Sequence, residues 1–93
     1  MKIVVNRCFG GYSLSKEAMD MLGATSAYDY EQCFLRADPK LVETVETLGK
    51  AANGRCADLQ VVEIPDSATD WLVQEFDGME TVIFVFGEKI HFA

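Results

Sequence analysis

The sequence predicts an α+β fold: one mixed or antiparallel sheet of about four to five strands, with two helices packed on one face. Three features of the sequence support this prediction. Asp77-Gly78 links two β-rich runs, which is a strong hairpin signal because a type I′ turn needs positive φ at both positions. Asp38-Pro39 opens a segment with apolar residues at helical spacing. An apolar run at the N-terminus leads into a second amphipathic segment, so the order is β-α-(β)-α-β-β-β.

The N-terminal third begins with a strand from Lys2 to Asn6, whose apolar residues on both faces suit a covered strand. A helix is expected from about Ser15 to Leu22, and Gly23 can end it in a left-handed cap. The segment from Ala24 to Arg36 alternates aromatic and polar residues, as in a strand with an aromatic face. A loop carrying surface tyrosines is the alternative for this segment.

The second helix has the clearest signals in the chain. Asp38 is the expected N-cap and Pro39 the first helical residue, where its missing amide costs nothing. Asn53-Gly54 supplies a stop signal. The next expected strand runs from Leu59 to Ile64.

The C-terminal third predicts a hairpin followed by a short last strand around Ile90 to Phe92. In the register set by Asp77-Gly78, Phe76 lies opposite Met79 and Glu75 lies opposite Glu80. Like charges placed directly opposite each other are unfavourable. We therefore expect this pair on an exposed face, where it could serve a cation or a basic partner.

Length and composition indicate one domain over residues 1–93. No apolar stretch reaches the ~18 residues that a membrane span needs, and the N-terminus lacks the features of a signal peptide. We expect a cytoplasmic protein. Cys8, Cys33 and Cys56 could combine with His91 in a zinc site, but no pair has the short spacing that structural zinc sites use. We therefore expect structural thiols, no metal and no cofactor.

The net charge of −7 comes entirely from the last 36 residues, because residues 1–57 carry seven acidic and seven basic side chains. Residues 58–93 carry eight acidic side chains against Lys89 alone. Such a surface repels phosphate backbones, so we expect no direct binding to nucleic acid. It would attract a basic protein surface, or it could simply be a solvated face.

The stretch from Asn6 to Ser15 holds the main candidate ligand site, because a strand there passes through two glycines towards a helix. Freed amides near Gly10, Gly11 and Ser13, beside Arg7, could hold an anion. Cys8 could be an activated thiolate, but the loop lacks the spacing of a phosphatase loop and the second cysteine of a redox pair. The alternative for the whole stretch is a tight turn over a structural cysteine.

Most of the chain, through Val82, resembles a family of small uncharacterised proteins from bacteriophages and bacterial genomes. The resemblance lies in the start MKIVVNRCFGGYSLS, the middle RADPKLVETVETLGKAANG and the run LQVVEIPDSATDWLVQEFDGMETV. The chain departs from the family after Val82, where a more polar end is expected and this chain is apolar. The resemblance implies a phage or prophage setting, and hence the cytoplasm of a host cell, but it implies no chemistry.

These observations favour a non-enzymatic protein-binding module. Its expected interaction surface is acidic and aromatic and comprises Trp71, Glu75, Asp77 and Glu80. In the phage setting it would inhibit a host defence complex, as anti-CRISPR proteins do, by occupying a basic surface. The alternative is a small anion-binding or ligand-binding domain centred on Arg7, Cys8, Gly10, Gly11 and Ser13. A homodimer that covers its own sheet is a third hypothesis.

Overall fold

The computed structural model describes all 93 residues and confirms the α+β class. Its strands and α-helices, in chain order, are β1 Lys2–Asn6, α1 Lys16–Leu22, α2 Pro39–Leu48, β2 Leu59–Glu63, β3 Asp70–Phe76, β4 Met79–Phe86 and β5 Lys89–Phe92. Two short 3-10 helices, Cys33–Ala37 and Gly49–Ala52, flank α2. None of the helices is long and apolar enough to cross a membrane.

The five strands form two sheets, and the single sheet that the sequence predicts is wrong. β1 pairs antiparallel with β2, while β3, β4 and β5 form a separate antiparallel sheet in that order. The reason is that both faces of β1 are used for packing. Val4 joins the helical core, whereas Ile3 and Val5 pack against Val82 of the other sheet.

The molecule therefore has three layers, with the β1–β2 sheet in the middle. The helical core contains residues from both helices together with Val4 and Leu59. On the opposite side of the β1–β2 sheet, the inner face of the three-stranded sheet contributes Val82 and the half-buried Trp71. α2 packs directly on β1 and β2, and α1 packs on α2.

Both predicted helices form, and Gly23 and Asp38 have the capping roles predicted for them. The Ser15 hydroxyl accepts a hydrogen bond from the Ala18 amide, and Gly23 adopts a left-handed conformation with φ of 70°. The Asp38 carboxylate caps the start of α2. α2 ends at Leu48, ahead of the predicted stop, because Gly49 takes a φ of 57° and the chain continues as a 3-10 turn.

The segment from Ala24 to Arg36 forms turns and a 3-10 helix, so its interpretation as a strand is wrong. The Asp29 carboxylate accepts hydrogen bonds from the Thr25 and Ser26 amides, which fixes a local turn instead of a ladder. Tyr30 then takes a positive φ of 69°. The alternation of aromatic residues in this segment thus does not reflect a strand, since Tyr28 is exposed in a turn and Tyr30 is half-buried against the helical core.

The C-terminal hairpin has the predicted register, with Phe76 opposite Met79 and Glu75 opposite Glu80. Asp77 and Gly78 both have positive φ, at 51° and 90°, as a type I′ turn requires. A second two-residue turn at Gly87 and Glu88 returns β5 onto β4.

Candidate functional site

The glycine loop after β1 packs tightly against the tip of the C-terminal hairpin. A Cβ atom on Gly78 would lie 2.6 Å from the Gly11 nitrogen and 2.6 Å from the Phe9 oxygen. A Cβ atom on Gly10 would lie 2.1 Å from the Cys56 oxygen. The glycines at these contacts therefore allow three loops to meet at close range.

Asn6, at the end of β1, links these loops by hydrogen bonds and is fully buried. Its side-chain nitrogen donates to the carbonyls of Cys8 (2.6 Å) and Gly78 (2.7 Å). Its side-chain oxygen accepts from the Asp58 amide at 2.8 Å. One amide side chain therefore holds the glycine loop and the hairpin tip to the end of β1.

Beneath the loop lies a buried ion pair between Arg36 and Glu80. The Arg36 Nη1 and Nη2 atoms lie 2.5 and 2.7 Å from the two oxygens of Glu80, and Arg36 Nη1 also donates to the Val4 carbonyl. Glu80 accepts a further hydrogen bond from the backbone amide of Asn6 at 2.7 Å. The Arg36 guanidinium stacks 4.0 Å from the centroid of the Tyr12 ring.

A cleft of about 480 Å³ opens between the glycine loop, the segment around the first 3-10 helix, and the hairpin. We call it the loop–hairpin cleft. The loop contributes residues 10–13, and the hairpin contributes Val73, Glu75, Gly78 and Glu80. Tyr28, Glu31, Cys33, Arg36 and Arg55 complete the lining.

The charges of the loop–hairpin cleft are mixed. Arg36 and Glu80 neutralise each other, which leaves Arg55 as a cation without an ion pair and Glu31 and Glu75 as exposed carboxylates. Burial raises the pKa of Tyr12 well above its usual value of 10.0, and the nearby Arg36 opposes this rise in part. The Tyr12 hydroxyl therefore stays protonated and neutral at physiological pH.

The structure divides the loop residues of the predicted ligand site into two groups. Gly10, Gly11 and Ser13 line the cleft, whereas Arg7 and Cys8 do not. Arg7 donates its backbone amide to Asp58, and its buried Nε atom has no partner. The Cys8 carbonyl accepts a hydrogen bond from the Asn6 side chain, and the residue is half-buried.

The predicted interaction residues are also divided. Trp71 is half-buried on the inner face of the three-stranded sheet, against the second core. Glu75 and Asp77 are exposed at the hairpin tip, and the Gly78 amide donates to Glu75 Oε2. The prediction that Glu80 belongs to the interaction surface is wrong, because Glu80 is only 4% exposed and pairs with Arg36. The expectation that both facing glutamates are exposed is therefore correct for Glu75 alone.

The cysteines and the histidine do not form a common site. His91 stacks on Phe84 within the three-stranded sheet, with ring centroids 5.3 Å apart, and β5 does not pair with β1. Cys33 lines the cleft, where its sulfur accepts a hydrogen bond from the Val73 amide at 3.2 Å. No three metal-ligating side chains of the Cys, His, Asp or Glu types come together.

Sequence reasoning missed Arg36 and Arg55, the two cations of the cleft. One signal for Arg36 was present, because the hairpin register places Glu80 opposite Glu75 and a buried member of such a pair needs a cation. Nothing in the spacing of the sequence indicates which of the basic residues supplies it. Arg55 gives no sequence signal at all.

The loop–hairpin cleft thus unites the glycine loop and the hairpin carboxylates, which the sequence treats as separate sites. No family model, curated protein sequence or solved structure matches this chain.

Proposed function

We propose that this protein is a binding module that docks a basic protein through the outer face of its three-stranded sheet. The observation that carries the proposal is the apolar character of that face. Side chains alternate along a strand, and Trp71, Val82 and Phe84 point towards the core. Their neighbours Leu72, Phe76, Ile83, Val85, Ile90 and Phe92 therefore form the opposite surface, which we call the outer sheet face.

The outer sheet face is exposed and continuous. Phe76, Ile90 and Phe92 are 73%, 67% and 68% exposed, and Leu72 is 48% exposed. The strand register places Leu72, Ile83 and Phe92 in one row across the three strands. No other part of the chain covers this row. Contiguous apolar patches of this kind mark interaction surfaces on proteins.

Charge favours a basic partner over a second copy of this chain. Asp70, Asp77 and Glu88 are exposed at the ends and turns of the three-stranded sheet, against Lys89 as its one basic residue. Two copies placed face to face would oppose these carboxylates, whereas a partner with lysines and arginines around an apolar patch would complement them. In the phage setting that the resemblance implies, such a partner would be a host protein whose basic surface normally holds nucleic acid, such as a CRISPR defence complex.

Affinity capture from host-cell lysate tests the proposal when it compares four forms of the protein. Wild type is compared with an apolar-face variant (Leu72→Ser with Ile90→Ser) and a charge variant (Asp70→Lys with Glu88→Lys). Glu43→Lys with Glu17→Lys is the control, since it reverses two exposed charges on the helices, away from the sheet. Circular dichroism verifies that each variant is folded.

We expect that the wild type and the helix control capture one protein that both sheet variants fail to capture. Excess oligonucleotide should displace this protein. Capture should weaken as salt rises, because the acidic rim acts through screened charges. A captured protein that both sheet variants retain would contradict the proposal. So would light scattering that shows a stable dimer which the apolar-face variant dissociates, because the occupant would then be a second copy.

A further inference from the structure

We infer that the loop–hairpin cleft is a second binding site, separate from the outer sheet face, and that it takes a small zwitterion such as an amino acid or a dipeptide. The cleft belongs to the inner side of the hairpin, since Val73 and Glu80 line it. The outer sheet face lies on the other side of the same strands. The volume of the loop–hairpin cleft, about 480 Å³, is within the range of pockets for small molecules.

The inner wall of the cleft carries hydrogen-bond donors that lack acceptors in the protein. The backbone amides of Tyr12 and Ser13 make no hydrogen bond within the chain, although the two residues are only 5% and 9% exposed. The Ser13 hydroxyl also has no hydrogen-bond partner in the protein. Buried donors are nearly always paired, so the two backbone amides indicate a place for an acceptor. The Ser13 hydroxyl is accessible to solvent and could contact the same acceptor.

Arg36 adds one more such donor. A guanidinium has five N–H groups, and four of them are used by the carbonyls of Glu31 and Val4 and by the two oxygens of Glu80. The fifth has no partner in the protein. Together with the unpaired Arg55, this donor set suits the carboxylate end of a ligand.

The rim of the cleft has the opposite character. Glu31 and Glu75 are exposed carboxylates, and neither has an ion pair. They would repel a doubly charged anion such as phosphate and attract an ammonium group. Donors in the wall and carboxylates at the rim together select a ligand that carries one negative and one positive group.

Isothermal titration calorimetry with defined probes tests this inference. The probes are the twenty common amino acids and their glycyl dipeptides, added one at a time, with acetate, methylammonium and inorganic phosphate as single-charge and dianion comparisons. The inference expects at least one amino acid or dipeptide to bind more tightly than acetate, methylammonium or phosphate. It also expects amide NMR shifts at Tyr12 and Ser13 on binding.

Matched variants decide whether the cleft is responsible. Arg55→Gln and Glu31→Gln should each weaken binding by at least about tenfold, because each removes one charge-assisted contact. Lys89→Gln and Glu63→Gln remove exposed charges outside the cleft and should leave binding unchanged. Binding that survives both cleft variants would overturn the inference. Equal or tighter binding of phosphate or acetate would also overturn it, as would the absence of binding by every amino acid and dipeptide at millimolar concentration.

Discussion

Arg36 and Glu80 form a bidentate ion pair in which both residues are almost completely buried, at 2% and 4% exposure. The pair joins the first 3-10 helix to β4. Glu80 also accepts a hydrogen bond from the backbone amide of Asn6 in β1. The carboxylate therefore links the two sheets at a point where no strand ladder connects them. This contact sets the position of the hairpin relative to β1 and gives the loop–hairpin cleft its floor.

Removal of one partner of the ion pair should destabilise the fold strongly. Arg36→Met leaves the Glu80 carboxylate buried without its cation, and we expect a loss of about 3–5 kcal/mol in the free energy of unfolding. Urea denaturation followed by circular dichroism measures this loss. Glu75→Gln, on the exposed residue across the strand, is the control and should change stability by less than about 0.5 kcal/mol. The double variant Arg36→Met with Glu80→Leu should lose less than the single variant, and an equal or larger loss would contradict the prediction.

Replacement of Asn6 should weaken the contact between β1, the glycine loop and the hairpin tip. Asn6→Leu leaves the Gly78 carbonyl, the Cys8 carbonyl and the Asp58 amide without their partner, at a cost of about 1–3 kcal/mol for each group that stays buried. Hydrogen exchange should show faster exchange at the hairpin tip and at Asp58, with β5 less affected. Thr47→Ala, which removes an exposed side chain on α2, is the comparison and should have almost no effect. Uniform loss of protection would argue against a local link.

Alanine substitutions at Gly78 and Gly87 separate the effect of close packing on stability from the effect of backbone conformation. Both have positive φ, but a Cβ atom meets backbone within 2.6 Å at Gly78 and nothing within 4 Å at Gly87. Gly87→Ala should therefore cost about 1 kcal/mol, the usual penalty for a left-handed residue with a side chain. Gly78→Ala should cost clearly more, because the glycine loop must move away. Thermal denaturation measures both, and equal shifts in Tm would show that loop contact contributes nothing.

The raised pKa of Tyr12 should make the stability of the fold depend on pH in the alkaline range. Its pKa in the folded protein is raised, so the neutral phenol is favoured by folding and contributes fully below its unfolded pKa of about 10.0. This contribution is lost as pH rises above that value towards the folded pKa. Tyr12→Phe keeps the ring against Arg36 and should flatten the loss of stability above pH 10.0 while changing little at neutral pH. Denaturant unfolding at several alkaline pH values tests this, with Tyr28→Phe as the exposed comparison, and parallel curves for wild type and Tyr12→Phe would contradict it.

The sequence by itself determined the elements whose signals are local. Ser15 with Gly23, Asp38 with Pro39, and Asp77 with Gly78 act through backbone groups within a few residues, so the two helices and the hairpin register could be predicted. Only the tertiary structure decided which strands share a sheet, because both faces of β1 are apolar and the sequence does not say what covers each. The tertiary structure also decided which residues line the loop–hairpin cleft. Arg36, Glu80 and Ser13 are far apart in the chain, and long-range packing alone brings a buried cation to one glutamate of the pair while leaving Glu75 in solvent.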